Sequence, residues 1–197
     1  VGLSAAEIER IVATVPGGAP NVQDIYPLAP LQEGILFHHL LASEGDPYLL
    51  HALHRFDTRD RIERYAAALQ AVIDRHDILR TAVLWEELSE PVQVVWRRAS
   101  LAVEEIALDA SAGDVATQLA ARFDPRRYGL DVRRAPLIRL AAAYDAARGD
   151  WAVMLLLHHL VSDHTALDII REEMRAFLLG RAEQLPAPLP FRNFVAQ

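Results

Sequence analysis

The chain has 197 residues, 52% of them hydrophobic, and a formal charge of −7, which suits one globular domain of ordinary size or one lobe of something larger. The acidic balance argues against a nucleic-acid surface, which needs a basic face. There is no cysteine and every basic residue is Arg, so disulfides, thiolate metal sites, thiol nucleophiles, lysine Schiff bases and the P-loop are all excluded.

Ser4 to Val15 reads as a short helix, with Ser4 and Glu7 at capping-box spacing. Gly17-Gly18-Ala19-Pro20 breaks the chain. A second helix runs from Leu31 to about Ala42, with Pro30 near its first turn and Gly45-Asp46-Pro47 as its stop. Tyr48 to Phe56 is a strand, and Asp60 to Arg75 has the apolar period of a helix. Leu79 to Trp85 and Val92 to Trp96 read as strands around the turn Ser89-Glu90-Pro91, and Leu101 to Leu108 as another. Val115 to Phe123 is a short helix. Leu137 to Tyr144 and Trp151 to Leu157 form an antiparallel pair, and Thr165 to Leu179 is an amphipathic helix stopped by Gly180. Pro186, Pro188 and Pro190 mark a second linker-like stretch, and Phe191 to Gln197 reads as the opening of another element. Strands and helices mostly do not alternate one-to-one, which makes the fold class α+β. The longest apolar run, Trp151 to Leu157, is far short of a membrane span. Val1-Gly2-Leu3-Ser4 has no signal-peptide layout. A cytoplasmic domain that binds neither nucleic acid nor membrane is expected.

The eight histidines fall in four groups: His38-His39, His51 with His54, His76, and His158-His159 with His164. The last follows an apolar strand and precedes a helix whose start is marked by Thr165 and Asp168 at capping-box spacing. Adjacent strand side chains point to opposite faces, so one of His158 and His159 is expected inside as structure and the other toward a cavity. A positive helix end nearby disfavours imidazolium, which suits a general base or hydrogen-bond acceptor. Asp163 is expected to accept loop amides or to pair with an arginine. The alternative is a core histidine pair beside a capping aspartate. A metal set of His159, Asp163 and His164 is disfavoured by strand alternation. His38 and His39, near a helix C-terminus, also have a plain reading as dipole partners. So do Arg75 and His76, which can satisfy last-turn carbonyls; Arg75 and Arg80 are both candidates to reach Asp163. Arg126-Arg127 and Arg133-Arg134 read as exposed charges, a docking surface for an acidic partner. No GxGxxG, GxSxG, HExxH or DxDxDG is present.

Three segments together resemble the condensation domain of nonribosomal peptide synthetases. Tyr26-Pro27-Leu28-Ala29-Pro30-Leu31-Gln32-Glu33-Gly34 resembles its first motif, Arg75-His76-Asp77-Ile78-Leu79-Arg80-Thr81 its RHExLRT motif, and His158-His159-Leu160-Val161-Ser162-Asp163 its HHxxxDG motif. The resemblance runs from about Ser4 to the end and covers the first of two lobes shaped like chloramphenicol acetyltransferase. It implies a two-layer α/β sandwich lobe over 22–180. It also implies a linker with a short helix from an upstream carrier domain over 1–21, and over 181–197 a lead into a C-terminal lobe that is missing here. His38 to Asp46 further fits HH[IL]xxxxGD, the mark of dual epimerisation/condensation domains.

The implied reaction joins a donor acyl thioester to an acceptor amine, with inversion of the donor Cα first. Both substrates ride on the 4′-phosphopantetheine of upstream and downstream peptidyl carrier domains, and the lobe itself binds no cofactor and no metal. By the resemblance His159 positions or deprotonates the amine, His158 and Asp163 are structural, Arg75 or Arg80 holds Asp163, and His38 and His39 serve epimerisation. Two residues depart from the pattern: His164 stands where the family has glycine, against the channel and thioester, and Asp77 where it usually has Glu. The isolated lobe is expected to be inactive. The alternatives are a coenzyme A-dependent acyltransferase of the same fold and a non-catalytic lobe that docks carriers.

Overall fold

The computed structural model describes residues 2–195, apart from the side chain of Phe194. Val1, Ala196 and Gln197, which belong to the expected segments 1–21 and 181–197, lie outside the described residues. In chain order the elements are α1 (Ala5–Thr14), β1 (Val22–Pro27), α2 (Pro30–Leu41), β2 (Leu49–Phe56), α3 (Arg59–Arg75), β3 (Thr81–Leu84), β4 (Val92–Trp96), β5 (Ala102–Glu105), α4 (Val115–Arg122), β6 (Ile138–Asp145), β7 (Asp150–His158), α5 (His164–Leu178) and α6 (Arg192–Val195). Helices and strands follow the expected order closely. The additions include β1, where Val-Gln-Asp-Ile-Tyr lacks clean alternation, and several 3-10 segments, of which the one over Asp77–Arg80 shortens β3.

The strands form two sheets, β1-β4-β3 and β2-β7-β6-β5. All pairings are antiparallel except β5 with β6. Alternation sorts the larger sheet's side chains into two cores. Val153, Leu157, Ile138 and Leu140 face α3 and α5, while Ala152, Met154, Leu156 and Ala141 face α4. Leu140, Val153, Met154 and Leu156 are fully enclosed, and each such aliphatic side chain contributes about 1.5–3 kcal/mol. The smaller sheet has its own core, into which α1 and its C-cap insert Ile11 and Val15 beside Leu84, Val94 and Trp96. The capping box of Ser4 and Glu7 starts α1 as its spacing predicts. No helix among the described residues is long and apolar enough to cross a membrane.

The register of β2 on β7 sets the functional end of the molecule. Leu49 stands opposite His158, so the turn before β2 lies beside the end of β7. Gly45 makes that turn possible. It has a φ of 69° and packs so tightly that a Cβ would overlap the Pro125 carbonyl and the Arg126 backbone. Asp46 follows with its N–H donated to the Pro125 carbonyl at 2.7 Å. Replacing Gly45 with Ala is expected to cost about 2 kcal/mol or more, since left-handed strain and overlap add. A denaturant midpoint unchanged from the native chain would contradict this account of the turn.

Candidate active site

β7 delivers His158 and His159 to opposite faces. His158 is 0% exposed, on the side of α4, whereas His159 is half-buried and opens the 3-10 turn His159–Val161. Each ring is fixed by one backbone group of that turn. The Leu160 N–H donates to His158 Nδ1 at 3.0 Å. A neutral imidazole that accepts at Nδ1 carries its proton at Nε2, and His158 Nε2 lies 2.8 Å from Asp46 Oδ2. His159 has the opposite arrangement. Its Nδ1 lies 3.1 Å from the Ser162 carbonyl, which can only accept, so the proton sits on Nδ1 and Nε2 presents a lone pair.

Asp46 is the centre of the arrangement. It is 1% exposed, and Oδ2 also meets His39 Nδ1 at 2.8 Å while Oδ1 accepts the Tyr48 N–H at 3.0 Å. Burial pushes its carboxyl up, but the hydrogen bonds from His158, His39 and Tyr48 outweigh burial and hold it well below the usual carboxylate range. Tyr48 then ties this turn to the other histidine: its carbonyl accepts the His159 N–H at 2.9 Å, and its ring stands 6.4 Å from that of His159 and 6.2 Å from that of His38. His38 is exposed on the last turn of α2.

His39, Asp46 and His158 have donor atoms close enough together to suggest a metal site. Their chemistry does not fit one. The His158 Nε2 that would ligate carries a proton because Leu160 N–H occupies Nδ1, and a neutral ligating nitrogen must offer a lone pair.

The turn that carries His159 is held by residues whose part the sequence alone did not reveal. Gln32, in the first motif, donates Nε2 to the Leu160 carbonyl at 2.9 Å. It exchanges hydrogen bonds with Gln93 of β4 at 2.9 and 2.8 Å, and its Oε1 accepts the Ala29 N–H at the start of α2. One buried amide pair therefore joins α2, the smaller sheet and the histidine turn. A polar residue inside an apolar helix start was the available signal.

Several expected contacts are replaced by others. Asp163 pairs with neither Arg75 nor Arg80. It is exposed and caps α5, accepting the Ala166 N–H at 2.7 Å, so the N-cap lies two residues before Thr165, where the spacing of Thr165 and Asp168 would put it. Arg75 instead meets the buried Glu173 of α5 at 3.0 Å and the Pro186 carbonyl at 2.7 Å, and His76 meets the same Glu173 oxygen at 2.9 Å. Arg80 is buried against Gln23 and the carbonyls of Trp96 and Arg97. The reason is reach: the second motif sits where α3 turns into β3, beside the middle of α5 and the smaller sheet rather than the α5 N-terminus. His164 is exposed at that terminus. Arg126 and Arg133 face solvent but are engaged by Asp124, and by Asp131 and Glu86.

On the His159 face of the sheet a cavity of about 660 Å³ opens between β2, β7 and α5, walled by Leu50, Leu155, Leu157, Ile170 and Met174. His54 also lines it, its Nε2 buried without a partner, and burial together with the nearby Arg171 lowers its affinity for a proton.

The two sheets thus place a histidine pair at the end of a buried strand, one ring locked inside by Asp46 and the Leu160 amide and the other held by the Ser162 carbonyl. The chain belongs to the condensation domain family, whose model matches residues 22–197. Malpibaldin synthetase of Mortierella alpina is 51% identical over 197 residues, all of this chain and 4% of that protein. Gramicidin S synthase 2 of Brevibacillus brevis is 29% identical over 182 residues, 89% of this chain and 4% of that one. The chain thus spans a few per cent of the length of the curated relatives it matches. The fold is that of the condensation domain of the monacolin K polyketide synthase MokA, with a TM-score of 0.64 at 18% identity over 89% of this chain and 39% of that one.

Because the Asp46 carboxyl is lowered in the folded state, it stabilises the fold fully above the usual carboxylate range and progressively less as pH falls below about 4. Asp46→Ala is expected to destabilise by about 3 kcal/mol at neutral pH, with a smaller penalty in acid. Denaturant titrations of both proteins at pH 7 and pH 3 check this; an equal penalty at both would contradict it.

Proposed function

We propose that this chain is the N-terminal lobe of a peptide-bond-forming condensation domain in a nonribosomal peptide synthetase, and that it also takes part in inverting the donor Cα from L to D before condensation. The observation that carries the first part is His159, whose Nε2 lone pair is fixed by the Nδ1 contact to Ser162. In this role Nε2 accepts a hydrogen bond from the acceptor amine and holds it toward the donor thioester. The C–N bond forms as the C–S bond breaks, the amine proton passes toward His159, and the pantetheine thiolate leaves. The relatedness to malpibaldin synthetase and gramicidin S synthase 2 supports carriers as the substrate bearers. The sequence HH[IL]xxxxGD, spanning His38 to Asp46, supports the epimerisation part, as does the 2.8 Å contact of His39 Nδ1 with the buried Asp46 carboxylate.

The test uses the intact parent domain, an upstream carrier loaded with an L-aminoacyl group and a loaded downstream carrier. The dipeptide is expected to contain a D-configured donor residue; an L-configured donor residue would remove the epimerisation part and leave condensation standing. His159→Ala is expected to lower peptide formation about 100-fold or more, and undiminished turnover would overturn its role. Residues 1–197 alone are expected to form no peptide from the same carriers.

A further inference from the structure

Two of the histidines near Asp46 are candidates for the α-proton, and their surroundings differ. His38 is exposed and its ring has no hydrogen bond among the described residues; the neighbouring rings are Phe37 at 5.7 Å and Tyr48 at 6.2 Å. Nothing there fixes which nitrogen holds the proton. His39 is half-buried and its Nδ1 meets Asp46 Oδ2 at 2.8 Å. An ionised carboxylate only accepts, so His39 Nδ1 carries a proton, and in the neutral ring Nε2 is left with its lone pair. Nε2 has no hydrogen-bond partner among the described residues and is not sealed off from solvent. A carboxylate on one ring nitrogen with an open lone pair on the other is the arrangement that orients a histidine as a base.

We propose that His39 is the base that removes the donor Cα proton, and that Asp46 is the positioning residue that sets its tautomer while the same carboxylate oxygen anchors the neutral His158 beneath the condensation histidine. The proposal rests on the dual epimerisation/condensation reading above. In the step it describes, the Cα–H bond breaks and an N–H bond forms at His39 Nε2, and the electron pair enters the thioester as its enolate. Water then delivers a proton to the opposite face of Cα. The hydroxide so formed takes the proton back from His39, so the histidine ends neutral and the centre inverted.

Asp46 is suited to this double duty because it cannot turn away. Its backbone is pinned to Pro125 by the 2.7 Å hydrogen bond, and Gly45 before it is pressed on the Pro125–Arg126 backbone. Its other oxygen is taken by the Tyr48 amide. The rings of His39 and His158 meet edge to face at 5.5 Å around the shared oxygen. Tyr48, two residues on, accepts the backbone N–H of His159. A base for Cα and a partner for the amine are thus tied to one three-residue turn.

The experiment follows α-proton exchange in D₂O. The intact domain receives its upstream carrier, loaded with the L-aminoacyl group selected by that module, and no acceptor. Deuterium at Cα is read by mass spectrometry, and peptide formation is measured separately with a donor loaded directly in the D form. His39→Gln is expected to slow exchange about 100-fold or more while peptide formation from the D-donor falls less than tenfold. Exchange by the native domain that persists in His39→Gln would overturn the proposal and leave the dual reading intact; no exchange by the native domain would overturn both. For Asp46, the imidazole ¹⁵N shifts of labelled protein distinguish the tautomers. In the native domain His39 is expected to be protonated at Nδ1 and His158 at Nε2, and in Asp46→Asn His39 is expected to lose its preference and exchange to slow at least tenfold. A His39 protonated at Nε2 in the native protein would overturn the proposal even if Asp46→Asn failed to fold, and so would an unchanged His39 tautomer in that variant.

Discussion

A carboxylate enclosed by protein is costly unless every oxygen finds a donor, and much of the geometry around Asp46 answers that requirement. His39 comes from the end of α2, His158 from the end of β7 and the third donor from the Tyr48 amide. These partners lie on three separate parts of the chain, so the group can be satisfied only when α2, the turn before β2 and the β2–β7 pairing are all in place. Sliding β2 by one residue would exchange its two faces and carry the turn away from His158. The register of the sheet and the solvation of one buried charge therefore specify each other.

A second polar device solves a different difficulty. The lobe has two sheets with separate cores, and the backbone at their junction has carbonyls and amides with no strand to pair with. Gln32 and Gln93 take up several of them, satisfying the Pro27 and Leu160 carbonyls and the Ala29 amide. Glu173 does the same kind of work lower down, where Arg75 and His76 converge on it from the end of α3. Neither device touches the histidine rings of the site. The glutamine pair holds the turn that carries His159 through the Leu160 carbonyl, and the Glu173 cluster joins α3 to α5.

Helices were legible because their periodicity and caps are local: Ser4 with Glu7, the apolar stripe of α3, Gly180 after α5. The strand β1 was not, since Val22 to Tyr26 lacks alternation and is a strand only because β4 offers a ladder to it. The division of His158 and His159 between two faces followed from alternation alone. The partners did not. Asp46 and His158 stand 112 residues apart, and no local pattern says which acid a buried histidine will meet. The expectation that an arginine holds Asp163 failed for a related reason. Asp163 sits at a position where the free amides of α5 are closer than any guanidinium, and a capping interaction needs no long side chain to be ordered.

Three histidines cluster here, and their chemistry is decided by what each ring faces rather than by residue type. His158 is given an amide donor at Nδ1, which moves its proton to Nε2 and makes the ring a spacer between backbone and carboxylate. His159 is given a carbonyl, and His39 a carboxylate, each of which draws the proton to Nδ1 and leaves Nε2 of the neutral ring with its lone pair. The choice for His158 and His159 is made within one 3-10 turn, whose Leu160 amide points one way and whose Ser162 carbonyl the other. A single turn of backbone thus gives two adjacent, chemically identical side chains opposite proton placements, and an acidic side chain from the turn before β2 gives His39 the same placement as His159.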